Sequence, residues 1–415
     1  MKIVFINPFY YPLGGAEIVM LNEIDFLLKS GHEVSIFSVN NKKNLNSNYS
    51  KYFVEKDIIQ EKIESKIPLN FLEKINYCLV NINNTGSAKK FKIFLDEVKP
   101  DLIHSHGYSR MLSPTIFELA KKFRIPVLTT EHNPKLVCPI GTLKFKGDKY
   151  CYDKLCIKGN YFNVLIHKCN KGSMLQSLQN FLEFSINKKR YIKNIDGITV
   201  PSLYLKNLLI EAGIDQKKIV HLKNFVNLNK FNYQESNSGY FLYFGRLSFE
   251  KGLLTLIKAF ELLPELSLKI VGEGAEETIL RKYIKEKNIK NIEFLGKKRD
   301  EELVKAIQGS KATILPSEWG ENAPLSILES FSCGKPVIGA NIGGIPEMIN
   351  DGVDGYLFES GNVEDLKQKI LNIFEKDTNI LQMGKTARKK AEENYTIEAH
   401  GKALLNIYNN VLENR

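Results

Sequence analysis

The chain is a succession of short apolar runs separated by helical patterns and by polar turns rich in Gly, Pro and Asn. In the first half the runs are Ile3–Ile6, Val34–Val39, Leu102–His106, Val127–Thr130, Gly197–Pro201 and Ile219–Leu222. In the second half they are Phe241–Phe244, Leu268–Val271, Ile292–Leu295, Ala312–Leu315, Val337–Ala340 and Gly355–Phe358. Short apolar runs bounded by turn signals read as strands. A helical pattern covers Ala16–Lys29 and stops at Gly31. Another covers Leu325–Ser332, opened by Pro324 and stopped by Gly334. Strands alternating with helices predict an α/β fold, with parallel sheets carrying helices on both faces.

The alternation pauses between Asn224 and Gly239, where Asn, Ser and Gly concentrate, and then restarts. Two Rossmann-like domains are therefore expected, residues 1–225 and 236–395, with a cleft between them. The tail Thr396–Leu412 is helical, but periodicity does not say where it docks. Residues 41–100 are rich in Asn and Lys and read as helices joined by loops, with no legible chemistry.

A chain of 415 residues has room for about two to three domains, each with its own core. Hydrophobic residues make up 43% and charged ones 25%, the balance of a soluble globular protein. No apolar run approaches the roughly 20 residues of a spanning helix. The first residues enter a strand directly, without the features of a signal peptide, so the expected location is cytoplasmic. The net charge of +11 raises three partner classes: nucleic acid, an anionic membrane face, and phosphorylated ligands. Lys188, Lys189 and Arg190 form a tight cluster, but no basic stripe is interleaved with aromatics, so nucleic acid is not expected. A peripheral membrane contact stays open, because a lipid-carried acceptor would be presented there.

The densest chemistry follows the run ending at Leu315. Glu321 sits in a loop and Glu329 in the helix after it, with seven residues between them. A strand–loop–helix unit puts a helix N-terminus at the carboxyl edge of a sheet, where α/β folds bind anionic or hydroxyl-rich ligands. Glu329 lies beside Leu325 and Leu328 on the helix, so a ligand-facing carboxylate and an exposed one both fit the spacing. Elsewhere, Phe244-Gly245-Arg246-Leu247 ends a strand and Glu250-Lys251-Gly252 opens a helix, offering two cations and a helix start to a diphosphate. Gly14-Gly15-Ala16-Glu17 joins the first strand to the first helix, where glycines allow close approach to a phosphate or sugar. His104 and His106 share one side of their strand, and Thr129-Thr130-Glu131-His132 ends the next. Either Glu131 or His132 could polarise an acceptor hydroxyl, and either could equally be a capping group.

Taken together, Glu321, Glu329, Cys333-Gly334-Lys335-Pro336-Val337-Ile338 and Gly343-Gly344-Ile345-Pro346-Glu347 resemble the nucleotide-sugar signature of glycosyltransferase family 4. That family comprises retaining enzymes of the GT-B architecture. The resemblance implies two Rossmann-like domains and a C-terminal helix, residues 396–415, that crosses back onto the first domain. It implies that Arg246 and Lys251 bind the donor diphosphate, and that the Gly14-Gly15 loop closes over the phosphate. His106 would hydrogen-bond the donor sugar, Glu321 would face it, and Glu329 would accept from the ribose. Asn322, Ala323, Pro324 and Leu325 would offer backbone contacts, while Glu131 and His132 would lie at the acceptor edge. Where relatives commonly read Asn-Gly-Val-Asp, this chain has Asn224-Phe225-Val226-Asn227, a departure at the linker. No Asp-x-Asp occurs, so metal-bridged diphosphate binding is not suggested and no cofactor is expected for catalysis.

Four of the six cysteines, Cys138, Cys151, Cys156 and Cys169, fall in an expected insertion at 133–172. Their spacing permits a structural Zn site, with His132 and His167 as substitute ligands, or a set of buried free thiols. Cys78 and Cys333 read as core cysteines. The expected function is transfer of a sugar from a UDP- or GDP-sugar to a glycan or lipid-linked acceptor. A nucleic-acid-binding module and a GT-B phosphorylase or epimerase are the alternatives.

Overall fold

A computed structural model of the protein describes residues 1–56, 59, 61–62, 65, 67–108, 111–145, 149–235, 239–375 and 377–413. The chain divides into two compact units. The first comprises residues 1–201, 205–222 and 401–415, and the second residues 202–204 and 223–400.

In the first unit the strands are β1 (Lys2–Ile6), β2 (Glu33–Phe37), β3 (Leu102–Ser105) and β4 (Val127–Thr130). A small antiparallel hairpin follows, β5 (Lys144–Phe145) with β6 (Lys149–Tyr150), and then β7 (Gly197–Val200) and β8 (Ile219–His221). Six of these form one sheet in the order β2-β1-β3-β4-β7-β8, and every pairing in it is parallel. β1, β3, β4 and β7 are almost wholly buried, as strands covered on both faces must be. Their core also takes in Leu404, Ile407 and Tyr408 of the last helix, Ile397–Glu413. The Tyr408 hydroxyl lies 2.7 Å from His104 Nδ1 on β3, so the returning helix is tied to the sheet by a polar contact as well as by packing.

The Asn- and Lys-rich stretch supplies two helices, Phe71–Ile82 and Thr85–Val98. Asn70 and Glu73 satisfy each other's backbone N–H groups in a capping box, which fixes the start of the first. Asn84 caps the second through the Ser87 N–H.

In the second unit β9 (Tyr240–Phe244), β10 (Ser267–Val271), β11 (Ile292–Gly296), β12 (Ser310–Leu315), β13 (Val337–Ala340) and β14 (Gly355–Phe358) form a parallel sheet. Its order is β11-β10-β9-β12-β13-β14. This is a doubly wound sheet in which strand order reverses between β9 and β12. In the first unit it reverses between β1 and β3. Open α/β sheets bind ligands beyond the carboxyl ends of the strands at such a reversal.

Three expectations about element ends are corrected. β2 and β3 stop at Phe37 and Ser105, so His106 is the first residue beyond its strand. The helix expected from Glu250 begins instead at Leu253, after a single 3-10 turn at Phe249–Lys251. Gly252 separates the two with φ +66°, and a Cβ there would meet the Pro316 carbonyl oxygen at 1.9 Å. Among the described residues no helix is long and apolar enough to cross a membrane.

Candidate active site

Because β9 and β12 are neighbours, the loops that follow them run side by side. The β9 loop carries Arg246 and Lys251, and the β12 loop carries Ser317 and Glu321. Glu318 N donates to Glu250 O at 2.9 Å, so backbone joins the two loops. Lys251 Nζ donates to Glu321 Oε1 at 2.5 Å, and Ser317 Oγ donates to the same oxygen at 2.7 Å. Arg246 Nη2 donates to Glu250 Oε1 at 3.1 Å, and most of its side chain remains exposed.

Glu321 is 8% exposed. Burial alone would raise its pKa. The Lys251 charge, with hydrogen bonds from Lys251, Trp319 and Ser317, outweighs burial and holds the carboxyl below its ordinary value. Its position is set from beneath by Gly343 and Gly344. The Gly344 N–H donates to Glu321 O at 2.8 Å. A Cβ on Gly344 would stand 1.9 Å from Asn322 O, and one on Gly343 would stand 2.4 Å from Glu321 O. The glycine pair is therefore required by backbone-to-backbone approach.

The helix Leu325–Ser332 begins at Pro324 without a side-chain cap. Its first turn therefore presents backbone N–H groups, and the N-terminal end of the dipole, to whatever lies beyond the sheet edge. Asn322, Ala323, Pro324 and Leu325 are all partly exposed there. Asn224 Nδ2 donates to Ala323 O at 2.9 Å, which ties the linker to this loop even though Phe225 replaces the usual glycine. The buried side of the helix comprises Ile327, Leu328, Ser330, Phe331 and Ser332, while Leu325 stays partly exposed. Glu329 is partly exposed, and burial pushes its carboxyl up to about 7 against the opposing charge of Lys230.

In the first unit Gly14 caps the helix Gly15–Lys29 with φ −156°, extended backbone that any residue could adopt. A Cβ there would meet only Glu17, at 3.4 Å. Conformation therefore does not require glycine at Gly14.

His106, expected to touch sugar, does not present its ring to solvent. Its side chain is fully buried, with Nε2 3.0 Å from Glu23 Oε2 and Nδ1 3.0 Å from His132 Nε2. His132 is partly exposed, and burial, reinforced by the neighbouring His106, lowers it to about 3. It is thus a neutral imidazole. Glu131 is buried and hydrogen-bonded by the Tyr108 hydroxyl, and burial raises it to about 7. Glu131 therefore serves the interior, and His132 is the member of that pair at the surface. His104 is structural: Nδ1 meets Tyr408 and Nε2 meets Thr130 Oγ1, each at 2.7 Å.

The geometry of both strand-order reversals agrees with what comparison finds. The family model described as Glycosyltransferase Family 4 matches residues 13–230, and that described as Glycosyl transferases group 1 matches residues 227–390. The chain belongs to glycosyltransferase family 4. An uncharacterized 42.6 kDa protein in the cps region of Klebsiella pneumoniae is 25% identical over 90% of this chain and 96% of its own. An uncharacterized glycosyltransferase of Methanocaldococcus jannaschii is 29% identical over 72% of this chain and 77% of its own. In fold, this glycosyltransferase resembles the crystal structure of Anabaena HepE in complex with UDP. The TM-score is 0.71 at 17% identity, covering 99% of this chain and 100% of the other. The architecture is GT-B.

The glycosyltransferase brings its four clustered cysteines around one small cavity, which they line together with His167. Burial and the charges of the other three thiols push Cys156 up to about 12. Cys333 is buried in the second unit as expected, while the Cys78 side chain lies outside the described residues. A separate cavity of about 750 Å³, lined by Lys121, Arg124, Asp196 and Lys217 among others, opens at the starts of β4 and β7. That is the end of the sheet opposite the candidate site, so its size carries no weight in locating the chemistry.

Sequence reasoning missed Ser317 and Glu23. Ser317 carried no signal beyond ending a strand. Glu23 did carry one: at helical spacing it falls on the same side as Met20, Ile24 and Leu27, all buried. An acid on an apolar stripe needs a partner, and here it faces His106.

Proposed function

We propose that this family 4 enzyme is a retaining hexosyltransferase. It would move a sugar from a UDP- or GDP-sugar to an acceptor hydroxyl in surface polysaccharide or glycolipid assembly. The observation that carries this reading is the Lys251–Glu321 contact, formed beside Arg246 where β9 and β12 diverge. An ammonium has three donors, so Lys251 can hold Glu321 and still meet diphosphate oxygens. Arg246 likewise keeps most of its guanidinium fork beyond the bond to Glu250. Together they stabilise charge on the departing diphosphate without a metal or other cofactor.

In the proposed step the bond from the anomeric carbon to the diphosphate oxygen breaks. The bond to the acceptor oxygen forms on the same face, and the hydroxyl proton leaves with the diphosphate. Ionised Glu321 orients sugar hydroxyls, and Glu329 accepts from the ribose diol. The N–H groups of Asn322, Ala323 and Leu325 line the sugar, and Gly14 and Gly15 leave room for phosphate. His132 accepts from the incoming hydroxyl, held in place by His106. HepE was solved with UDP, which makes UDP-sugars the first donors to assay. The cps region of the Klebsiella relative favours a polysaccharide acceptor.

The acceptor reading is supported by one surface. The helix Met174–Asn194 buries Ser177, Phe184 and Tyr191. On its opposite side it exposes Leu175, Leu178, Leu182 and Ile186, and the same stripe continues into exposed Lys189 and Lys193. An apolar stripe ending in cations fits the headgroup region of an anionic membrane carrying a lipid-linked acceptor. The basic cluster offers little to nucleic acid, because Lys188 packs against Tyr161 and Arg190 pairs with Glu118.

Purified enzyme incubated with labelled UDP-glucose, UDP-GlcNAc and GDP-mannose, with membrane lipid extract, tests the reading. Transfer that is lost in Glu321→Ala is expected. Transfer unaffected by that change overturns the assignment.

A further inference from the structure

We propose that the segment between residues 133 and 172 is organised by a structural zinc ion, held as four thiolates by Cys138, Cys151, Cys156 and Cys169. Among the described residues, the regular structure of the segment amounts to the two-residue strands β5 and β6 and one four-residue helix, Asn163–Ile166. Long stretches with so little secondary structure are uncommon in compact domains unless something else fixes them. The backbone here is also unusually constrained. Leu143, Lys154, Lys168 and Lys171 all have positive φ, between +46° and +51°. Non-glycine residues persist in that region only where their surroundings over-determine them.

The four sulfurs supply such a constraint. They come from widely spaced turns, yet all line one cavity of about 20 Å³. That is room for one small occupant, about the volume of a single water-sized sphere. Four sulfurs with no oxygen donor suit Zn²⁺ over the hard cations.

Coordination would draw the sulfurs together, since tetrahedral Zn–S bonds of about 2.3 Å space them about 3.8 Å apart. Among the described residues only Glu23, His104 and His106 bring three ligating atoms within 4.8 Å of one another. That group is no competitor, because Tyr408 and Thr130 engage both nitrogens of His104. On binding, the four thiols release their protons to solvent.

The test uses full-length protein purified under reducing conditions without chelator. Elemental analysis is expected to give one zinc per chain, released by a mercurial reagent. Exchange with Co²⁺ should produce thiolate-to-metal charge-transfer bands and the strong visible bands of a tetrahedral site. Cys156→Ser should weaken Co²⁺ binding at least tenfold, while Cys333→Ser leaves it unchanged. If Cys156→Ser is insoluble, the wild-type Co²⁺ spectrum and the Cys333→Ser control still decide the matter. Reduced protein that carries no zinc and gives no tetrahedral Co²⁺ spectrum overturns the proposal. So does a mass showing that these four cysteines are joined in disulfides.

Discussion

Lys251 Nζ and Glu321 Oε1 stand 2.5 Å apart although 70 residues separate them in the chain. The topology makes this contact, because β9 and β12 are adjacent only through the crossover that reverses strand order. Both side chains are largely buried, so the pair is worth more than a surface ion pair.

Removing one partner leaves the other charge buried and uncompensated, at about 3–5 kcal/mol. Lys251→Ala should therefore lower unfolding stability by about 3 kcal/mol and reduce transfer on the order of a hundredfold or more. The Lys251→Ala/Glu321→Ala double variant should recover part of the stability and none of the activity. Urea denaturation and turnover, measured on all three variants, check this. Glu321 titrates below its ordinary 4.5 in the fold. Its contribution is therefore whole above that value and is lost as pH falls through the depressed one. Glu321→Gln should lack that acid limb.

Glu329 behaves in the opposite sense. Its folded value of about 7 lies above the ordinary 4.5, so the folded state holds a proton that the unfolded state releases. Stability should fall as pH climbs through that window, and Glu329→Gln should flatten the slope. If the carboxylate accepts from a ribose diol, donor KM should fall between about pH 6 and about pH 8 in the wild type only. Steady-state kinetics across that range decides it.

Glu23 acts through His106. A carboxylate 3.0 Å from Nε2 favours a proton on that nitrogen, leaving Nδ1 to accept from His132 Nε2. The remaining nitrogen of His132 is then an acceptor, suited to an incoming hydroxyl. Glu23→Gln should lower kcat about tenfold and shift its pH profile while donor KM changes little. A variant that alters only stability would reduce Glu23 to a packing role.

Much of this was legible in the sequence, for physical reasons. Strands buried on both faces read as apolar runs, so all twelve strands of the two large sheets were found to within a few residues. Lys251, Arg246 and Glu321 were legible because they follow strand ends, where parallel sheets gather their chemistry. The inward turn of His106 was not, since nothing in the strand pattern says which way the first residue beyond it points. The fit of Gly344 beneath Asn322 was likewise invisible, because it depends on two loops from different strands meeting at backbone distance. For Glu329 the spacing left a ligand-facing and an exposed position both open, and the fold places it partly exposed beside the buried Leu328.

The apolar stripe on Met174–Asn194 predicts a membrane effect separable from donor binding. Leu178→Glu with Leu182→Glu should abolish sedimentation with phosphatidylglycerol vesicles and leave nucleotide affinity unchanged. Loss of a dimer in light scattering, with vesicle binding intact, would assign the stripe to a second copy of the chain instead.

The central claim is tested most directly by thermal shift with UDP, GDP and ADP on the wild type and on Lys251→Ala. A nucleotide at one hundred times its Kd should add about 2.7 kcal/mol to stability. The account predicts a clear rise in Tm with UDP or GDP for the wild type, and little or none for Lys251→Ala. Equal shifts in both proteins, or no shift with any nucleotide, would contradict it.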